Sequence, residues 1–361
     1  METTSAPAMA ELAARYLDAP ASSVTIHKLT GDVSTRAYYR AGAGGKSLIV
    51  SLYGAPFDET ESAADRLSAL EALNPSARLT FASDPCAHIE ATRLFLDAGL
   101  PVPRILATEG RHGLMLFEDV GDLRLQDWLA DRPAAEVREA YLRAARLIVR
   151  IQAATKQALG AGSICSVMAF DEAKLRWELD FFFANYFDRY LSLRLDPTEA
   201  GGAREDFRAL ASELASRPRV LTHRDYHARN LMMHAGEMFI IDHQDARMGP
   251  ASYDLASLIY DPYTSLTSEL TAELIERFIE MKSQSGMTFE GADFRRELEL
   301  MITQRMLKAI GTYASQAAQN NFTYVAYIEP ALNRAIAAMR KLGRFDATRA
   351  LLERTQEMRF E

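Results

Sequence analysis

At 361 residues the chain exceeds the roughly 250–300 residues at which a single core stops growing, so two lobes or domains are expected. Hydrophobic residues at 48% and charged residues at 25% describe an ordinary globular chain and exclude wholesale disorder. The formal net charge of −8 lacks the positive footprint that nucleic-acid binding needs, so no nucleic-acid partner is expected, and any site for a triphosphate must be built locally.

The first twenty residues carry no basic region followed by an apolar stretch, and Glu11, Arg15 and Asp18 interrupt them, so they do not read as a signal peptide. No window approaches the ~18 apolar residues of a membrane span, which predicts a cytoplasmic protein with no membrane partner. Residues 24–53 alternate short β-rich runs with turn signals and predict an antiparallel meander. Ile89, Leu94, Phe95 and Leu96 predict a helix over 85–98, closed by Gly99 and stopped by Pro101. Leu114-Met115-Leu116-Phe117 predicts a buried strand running into a turn at 118–122. Beyond that turn the composition shifts to amphipathic helical segments at about 123–158, 171–195, 203–215, 252–282, 292–319 and 323–355, interrupted by a strand-rich island at 220–242. The two cysteines, Cys86 and Cys165, lack metal-ligand spacing and read as reduced, buried residues.

The chemistry is concentrated in Leu221-Thr222-His223-Arg224-Asp225-Tyr226-His227-Ala228-Arg229-Asn230-Leu231 followed by Phe239-Ile240-Ile241-Asp242, which reads H-R-D-x-x-x-x-N and then a strand ending in Asp. Phosphoryl transfer requires one carboxylate to orient the attacking hydroxyl and accept its proton, plus hard oxygen ligands for Mg²⁺ bridging the phosphates of ATP. Asp225 fits the first role; Asn230 and Asp242 fit the second. Singly, each such residue is more often a turn-former or cap, and it is the joint spacing that carries the reading. Asp254 opens a helix and reads as an N-cap or an anchor for the catalytic loop. His223 and His227 read as packed loop histidines.

With these motifs the sequence resembles the aminoglycoside-phosphotransferase-like kinases. Within them it resembles the bacterial N-acetylmuramate/N-acetylglucosamine anomeric kinases of cell-wall recycling. The stretches that carry the likeness are 31–40, 98–103, 117–121, 223–232, 241–250 and 307–313. The resemblance implies an α+β, bilobal protein-kinase-like fold. A nucleotide-binding lobe over 1–118 has a small antiparallel sheet and one main helix; a mainly helical catalytic and substrate lobe covers 119–361. It implies an ATP- and Mg²⁺-dependent transfer to the anomeric hydroxyl of a small-molecule sugar, with adenine held through the backbone of Glu118 and Val120. It leaves the acceptor and the oligomeric state open.

One departure stands out. Many kinases place a Lys on the third strand, paired with a helix Glu, whereas Leu48-Ile49-Val50-Ser51 has Ser51 there. Arg36 or Arg40 is expected to supply the missing charge, with Ser34 and Thr35 offering further phosphate donors and Glu90 as the orienting carboxylate or a solvated helix residue. On the acceptor side, Glu178 stands in an aromatic segment that includes Trp177, Phe181 and Phe182. Sugars are commonly held by such mixtures, although a core stripe explains the rings equally well. Two other readings remain: an aminoglycoside- or choline-type kinase, which needs an acidic pocket, and a nucleotide-binding pseudokinase. A protein kinase is disfavoured because His243-Gln244-Asp245 follows Asp242 and no activation segment precedes the Tyr253 helix.

Overall fold

The computed structural model describes residues 2–29, 36–82, 84–260, 263–285 and 290–357. Ser34 and Thr35 lie outside the described residues. The chain divides into two compact units, one made of Met1–Trp128, Lys156–Val167 and Asn230–Ala246, the other of Leu129–Thr155, Met168–Arg229 and Arg247–Glu361.

The first unit is built on a five-stranded sheet of order β1-β2-β3-β5-β4. Its strands are β1 (Thr25–Lys28), β2 (Ala37–Ala43), β3 (Lys46–Leu52), β4 (Ile105–Glu109) and β5 (Leu114–Glu118), and every neighbouring pair is antiparallel. The Glu2–Leu17 helix covers one face. Its Met9, Leu12, Ala13 and Leu17, spaced three and four apart, pack on Ala41, Val50, Leu114 and Leu116 as a dry core. The Pro85–Asp97 helix starts where its sequence dictates. The carboxylate of Asp84 accepts from the amides of Cys86 and Ala87, and Pro85 occupies the first helical position, where a missing N–H costs nothing. Two further strands, β6 (Arg219–Thr222) and β7 (Leu231–His234), flank the catalytic motif. β7 forms a hairpin with β8 (Glu237–Ile240) inside the first unit, tied to it by Ile240 N donating to Pro101 O and Met233 N to Leu123 O.

The second unit is mainly helical, with β6 paired to β9 (Arg247–Pro250) as its only sheet among the described residues. Phe182, Tyr186, Phe187 and Phe207 form an aromatic core of edge-to-face and stacked rings. The 28-residue Gly291–Ala318 helix packs tightly against the Glu172–Phe183 helix. Gly311 is required there: a Cβ would lie 2.6 Å from Phe182 Cα, so any other residue would push the two backbones apart. That close approach sets where the polar face of the long helix lies.

Candidate active site

In the second unit, the catalytic loop is held from several directions. Thr222 closes β6, its hydroxyl donating to Arg247 O on β9 at 2.8 Å. The next two amides, of His223 and Arg224, donate to the two oxygens of the buried Asp254 carboxylate at 2.7 and 3.0 Å, so Asp254 anchors the loop. Arg224 has φ 86°, a left-handed conformation costly for a residue with a side chain. It is held there by Asp254 at its N–H and by Arg305 Nη1, which donates to its carbonyl at 2.9 Å. Tyr226, on the other side of Asp225, donates its hydroxyl to Ala144 O at 2.9 Å.

The backbone on both sides of Asp225 is thereby anchored. Lys308 Nζ lies 3.5 Å from its Oδ1 and Arg224 Nε 3.6 Å from its Oδ2, and its side chain keeps 29% of its surface exposed. Burial pushes its pKa up, but Lys308, Arg224 and Arg305 outweigh that effect and hold the carboxyl well below the usual range. At neutral pH it is an anion and a hydrogen-bond acceptor. His227 is pushed down to about 3, first by burial, and so is neutral.

Glu178 belongs to the same electrostatic group. It is buried, accepts from Gln304 Nε2 at 2.8 Å and pairs with Lys174 at 3.5 Å. Burial raises its pKa, and Lys174, Lys308 and Arg224 bring it below the ordinary value. Lys174 is pushed down to about 8 by burial, and its Nζ lies 4.2 Å from the Trp177 ring. Trp177 stacks on Phe181 and is partly exposed, whereas Phe182 belongs to the core. Gln304, Arg305 and Lys308 all come from one face of the Gly291–Ala318 helix. Spacing around the motif gives no sign of Gln304 or Arg305, for Arg305 lies 81 residues from Arg224; Lys308 stands in the 307–313 stretch of likeness, with nothing there to mark its contact with Asp225.

In the first unit, the pairing Leu231↔Ile240 puts Asn230 and Asp242 at the same open end of the β7–β8 hairpin, and Ile241 N donates to Asn230 O at 3.0 Å. Asp242 has φ 62°, again left-handed. Its Oδ1 accepts from Arg36 Nη2 at 3.1 Å and from Gln244 Nε2 at 2.9 Å, and its side chain is 40% exposed. His243 is fixed behind it, stacked on Phe95 at 5.2 Å with Nε2 2.8 Å from Thr92 Oγ1. The donor set fits magnesium: a hard carboxylate and a neutral amide share one end of a hairpin, and this ion takes only one or two carboxylates beside phosphates and water. Among the described residues no group of three or more His, Cys, Asp or Glu gathers.

Around the β3 position that lacks a lysine, the nearby cation is a guanidinium from the β2 side. Ser51 is buried and pairs with Tyr38, over whose ring the Arg36 guanidinium lies at 5.7 Å. The carboxylate beside Arg36 is that of Asp242. Glu90 instead uses both oxygens on backbone, accepting from Ala63 N and Ile164 N at 2.8 Å each, so it fixes the starts of two helices. Arg40 makes four hydrogen bonds, two to Asp119 and two to Asp122, and ties β2 to the turn after β5. In that turn Glu118 N donates to Arg104 O at 3.0 Å, so any adenine contact of Glu118 goes through its carbonyl; Val120 is buried, and Gly121 (φ 80°) donates to Asp119.

Residues 25–298 match the model of the phosphotransferase enzyme family. The chain is 29% identical over 289 residues to N-acetylmuramate/N-acetylglucosamine kinase of Pseudomonas aeruginosa, covering 79% of this chain and 75% of that one. It is also 29% identical to the Caulobacter vibrioides kinase of the same name over 275 residues, covering 72% and 73%. Among solved structures it is similar to a choline/ethanolamine kinase family protein from Mesorhizobium loti, with a TM-score of 0.54 and 19% identity over 95% of this chain and 99% of that one. It is similar too to an ADP-bound aminoglycoside phosphotransferase, with a TM-score of 0.53 and 11% identity over 91% and 97%. These structural likenesses establish a protein-kinase-like α+β fold. The matched segment takes in the whole catalytic motif with its sheet and loop, and the chain belongs to the phosphotransferase enzyme family.

Proposed function

We propose that this phosphotransferase is an ATP- and Mg²⁺-dependent sugar kinase that phosphorylates the anomeric hydroxyl of N-acetylmuramate or N-acetylglucosamine, giving the sugar 1-phosphate. Asp225 accepts a hydrogen bond from the hydroxyl and takes its proton as the oxygen–phosphorus bond forms and the bond from the γ-phosphorus to the ADP oxygen breaks. Asn230 and Asp242 hold the metal, which when bound neutralises charge on the β- and γ-phosphates. Arg36 bridges Asp242 and the phosphates, with Ser34 and Thr35 as further donors. The Glu118 carbonyl and the Val120 amide hold adenine. Arg40 and Glu90 shape this site by fixing the hinge turn and the neighbouring helix starts. Glu178 orients the sugar hydroxyls, directly or through Lys174. Use of ATP agrees with a cytoplasmic setting.

The observation that carries the choice of acceptor is the charge around Asp225. Lys174, Arg224, Arg305 and Lys308 outnumber Asp225, Glu178 and Asp254, so the surroundings favour a neutral or anionic acceptor over a polycationic aminoglycoside or a quaternary amine. The relatives named as N-acetylmuramate/N-acetylglucosamine kinases act on sugars of that kind. The test is ADP release with N-acetylglucosamine, N-acetylmuramate, an aminoglycoside and choline, followed by assay of the product for a free reducing end. Sugar-dependent release with loss of the reducing end supports the reading. A product that still reduces places the phosphate on another hydroxyl, and ADP release with none of the four leaves a nucleotide-binding protein without this activity.

A further inference from the structure

Two residues beyond Asp225, the catalytic loop enters a group of tyrosines that the roles above do not use. The ring of His227 meets Tyr263 edge-on at 5.5 Å, and Arg229 lies over the face of Tyr263 at 4.5 Å. Tyr263 meets Tyr327 edge-on at 5.2 Å, and Tyr313 stacks on Tyr324 at 5.8 Å with 9° between planes. Tyr313 and Tyr327 are 6.0 Å apart and Tyr324 and Tyr327 6.5 Å, which joins the two pairs into one cluster. Tyr313 is buried, while Tyr263, Tyr324 and Tyr327 are only half-buried, so one base supports three partly open aromatic surfaces. Tyr313 stands on the same helix as Lys308, five residues on, which is about 7.5 Å along the axis. The tie to the reacting end is His227, which follows Asp225 by two residues on the same loop and meets the Tyr263 ring.

We propose that Tyr263, Tyr324 and Tyr327, seated on Tyr313, form the platform on which the apolar face of the acceptor's pyranose ring stacks while its hydroxyl meets Asp225. This rests on the sugar-kinase reading above and adds the subsite that reading lacks. Half-exposed tyrosines suit the task, for each ring gives apolar area at small entropic cost and a hydroxyl at its edge for sugar oxygens. The same rings without cations would make a cage for a quaternary amine. Here the Arg229 guanidinium already occupies a Tyr263 face, and Arg305 and Lys308 stand near Asp225, so a second cation is disfavoured and a neutral or anionic sugar is not.

The experiment compares the full-length protein with Tyr324→Leu, Tyr327→Leu and Tyr327→Phe, each checked for a native thermal transition. It reads the acceptor KM, the ATP KM and, separately, N-acetylglucosamine binding by calorimetry. The platform predicts that each Leu variant raises the acceptor KM and the sugar Kd about tenfold at an unchanged ATP KM, and that Tyr327→Phe recovers most of the loss. Unchanged sugar Kd and KM in both folded Leu variants would overturn it, as would an equal rise in both substrates' KM. Leu variants that weaken choline turnover rather than sugar binding would overturn it in favour of a cation cage. If the wild type binds the sugar through these rings yet releases no ADP with it, the platform stands and the sugar-kinase reading falls. If the wild type does not bind the sugar at all, the platform falls.

Discussion

Lys308 Nζ lies 3.5 Å from Asp225 Oδ1, a contact made across the second unit by a helix that begins far beyond the catalytic motif. Its effect is to keep the carboxylate charged despite its low exposure, together with Arg224 and Arg305. A carboxylate held so low is a weak proton acceptor and a good orienting anion, so in the proposed reaction its part is chiefly to position the hydroxyl, with proton transfer late, as a loose phosphoryl-transfer transition state allows.

Replacing Lys308 by Met removes the first of the charges that depress Asp225. Its folded pKa then rises, so the acid limb of the kcat/KM profile moves to higher pH, with kcat near neutrality falling on the order of tenfold or more. An acid limb at the wild-type position in a folded Lys308→Met protein contradicts this role.

Asp254 accepts from two buried backbone amides, those of His223 and Arg224. Asp254→Ala leaves both donors without this partner and releases a left-handed Arg224, with an expected loss of about 2–4 kcal/mol in urea unfolding. Activity should fall further than nucleotide affinity, because the loop carries Asp225. A loss below about 0.5 kcal/mol would show the loop to be held by other contacts.

A second buried lysine offers a pH test. Lys282 donates to Gln152 Oε1 at 2.6 Å and is pushed down by burial, partly offset by Glu297, from 10.5 to about 8. A base depressed on folding contributes its full share of stability above the unfolded value of 10.5 and loses it as pH falls through about 8. Relative to Lys282→Met, the wild type should therefore gain stability between pH 8 and 10.5, as measured by paired urea titrations at both ends. A difference that stays constant with pH excludes the charged, buried amine.

Arg36 and Arg40 separate by their partners. Arg36 hydrogen-bonds the proposed metal carboxylate Asp242, whereas Arg40 is taken up by Asp119 and Asp122. Arg36→Ala should weaken ADP–Mg²⁺ binding by about ten- to a hundredfold, in line with ~1.5–3 kcal/mol for a charged hydrogen bond, and Arg40→Ala should act mainly on the turn after β5 and on thermal stability. If neither variant changes nucleotide affinity by calorimetry, the charge that replaces the β3 lysine comes from neither.

Much of this was legible in local pattern. The meander, the Pro85–Asp97 helix with its Asp84 cap, and the buried strand at Leu114–Glu118 follow from period, turn chemistry and capping residues that act within a few positions. The Glu2–Leu17 helix is different: its buried stripe of Met9, Leu12, Ala13 and Leu17 is sparse among alanines and becomes a core only against the sheet. β4 is half-buried throughout, so no apolar run marks it. Of the proposed site residues, Asp225, Asn230 and Asp242 are readable because the H-R-D-x-x-x-x-N and strand-Asp pattern fixes their spacing along the chain. Lys308, Arg305 and Gln304 act through a helix face whose partners lie far away in sequence, and only folding pairs them with the loop. The tyrosines likewise come from separate segments and share no motif.

The most direct test of the central claim is ADP release from the intact protein with N-acetylglucosamine and N-acetylmuramate, with and without Mg²⁺, comparing the wild type with Asp225→Asn. The account predicts release that requires both sugar and Mg²⁺, reduced in Asp225→Asn by about 10²–10⁴ with ADP binding retained. Equal rates in the two proteins, or release indifferent to the sugar and the metal, would contradict it.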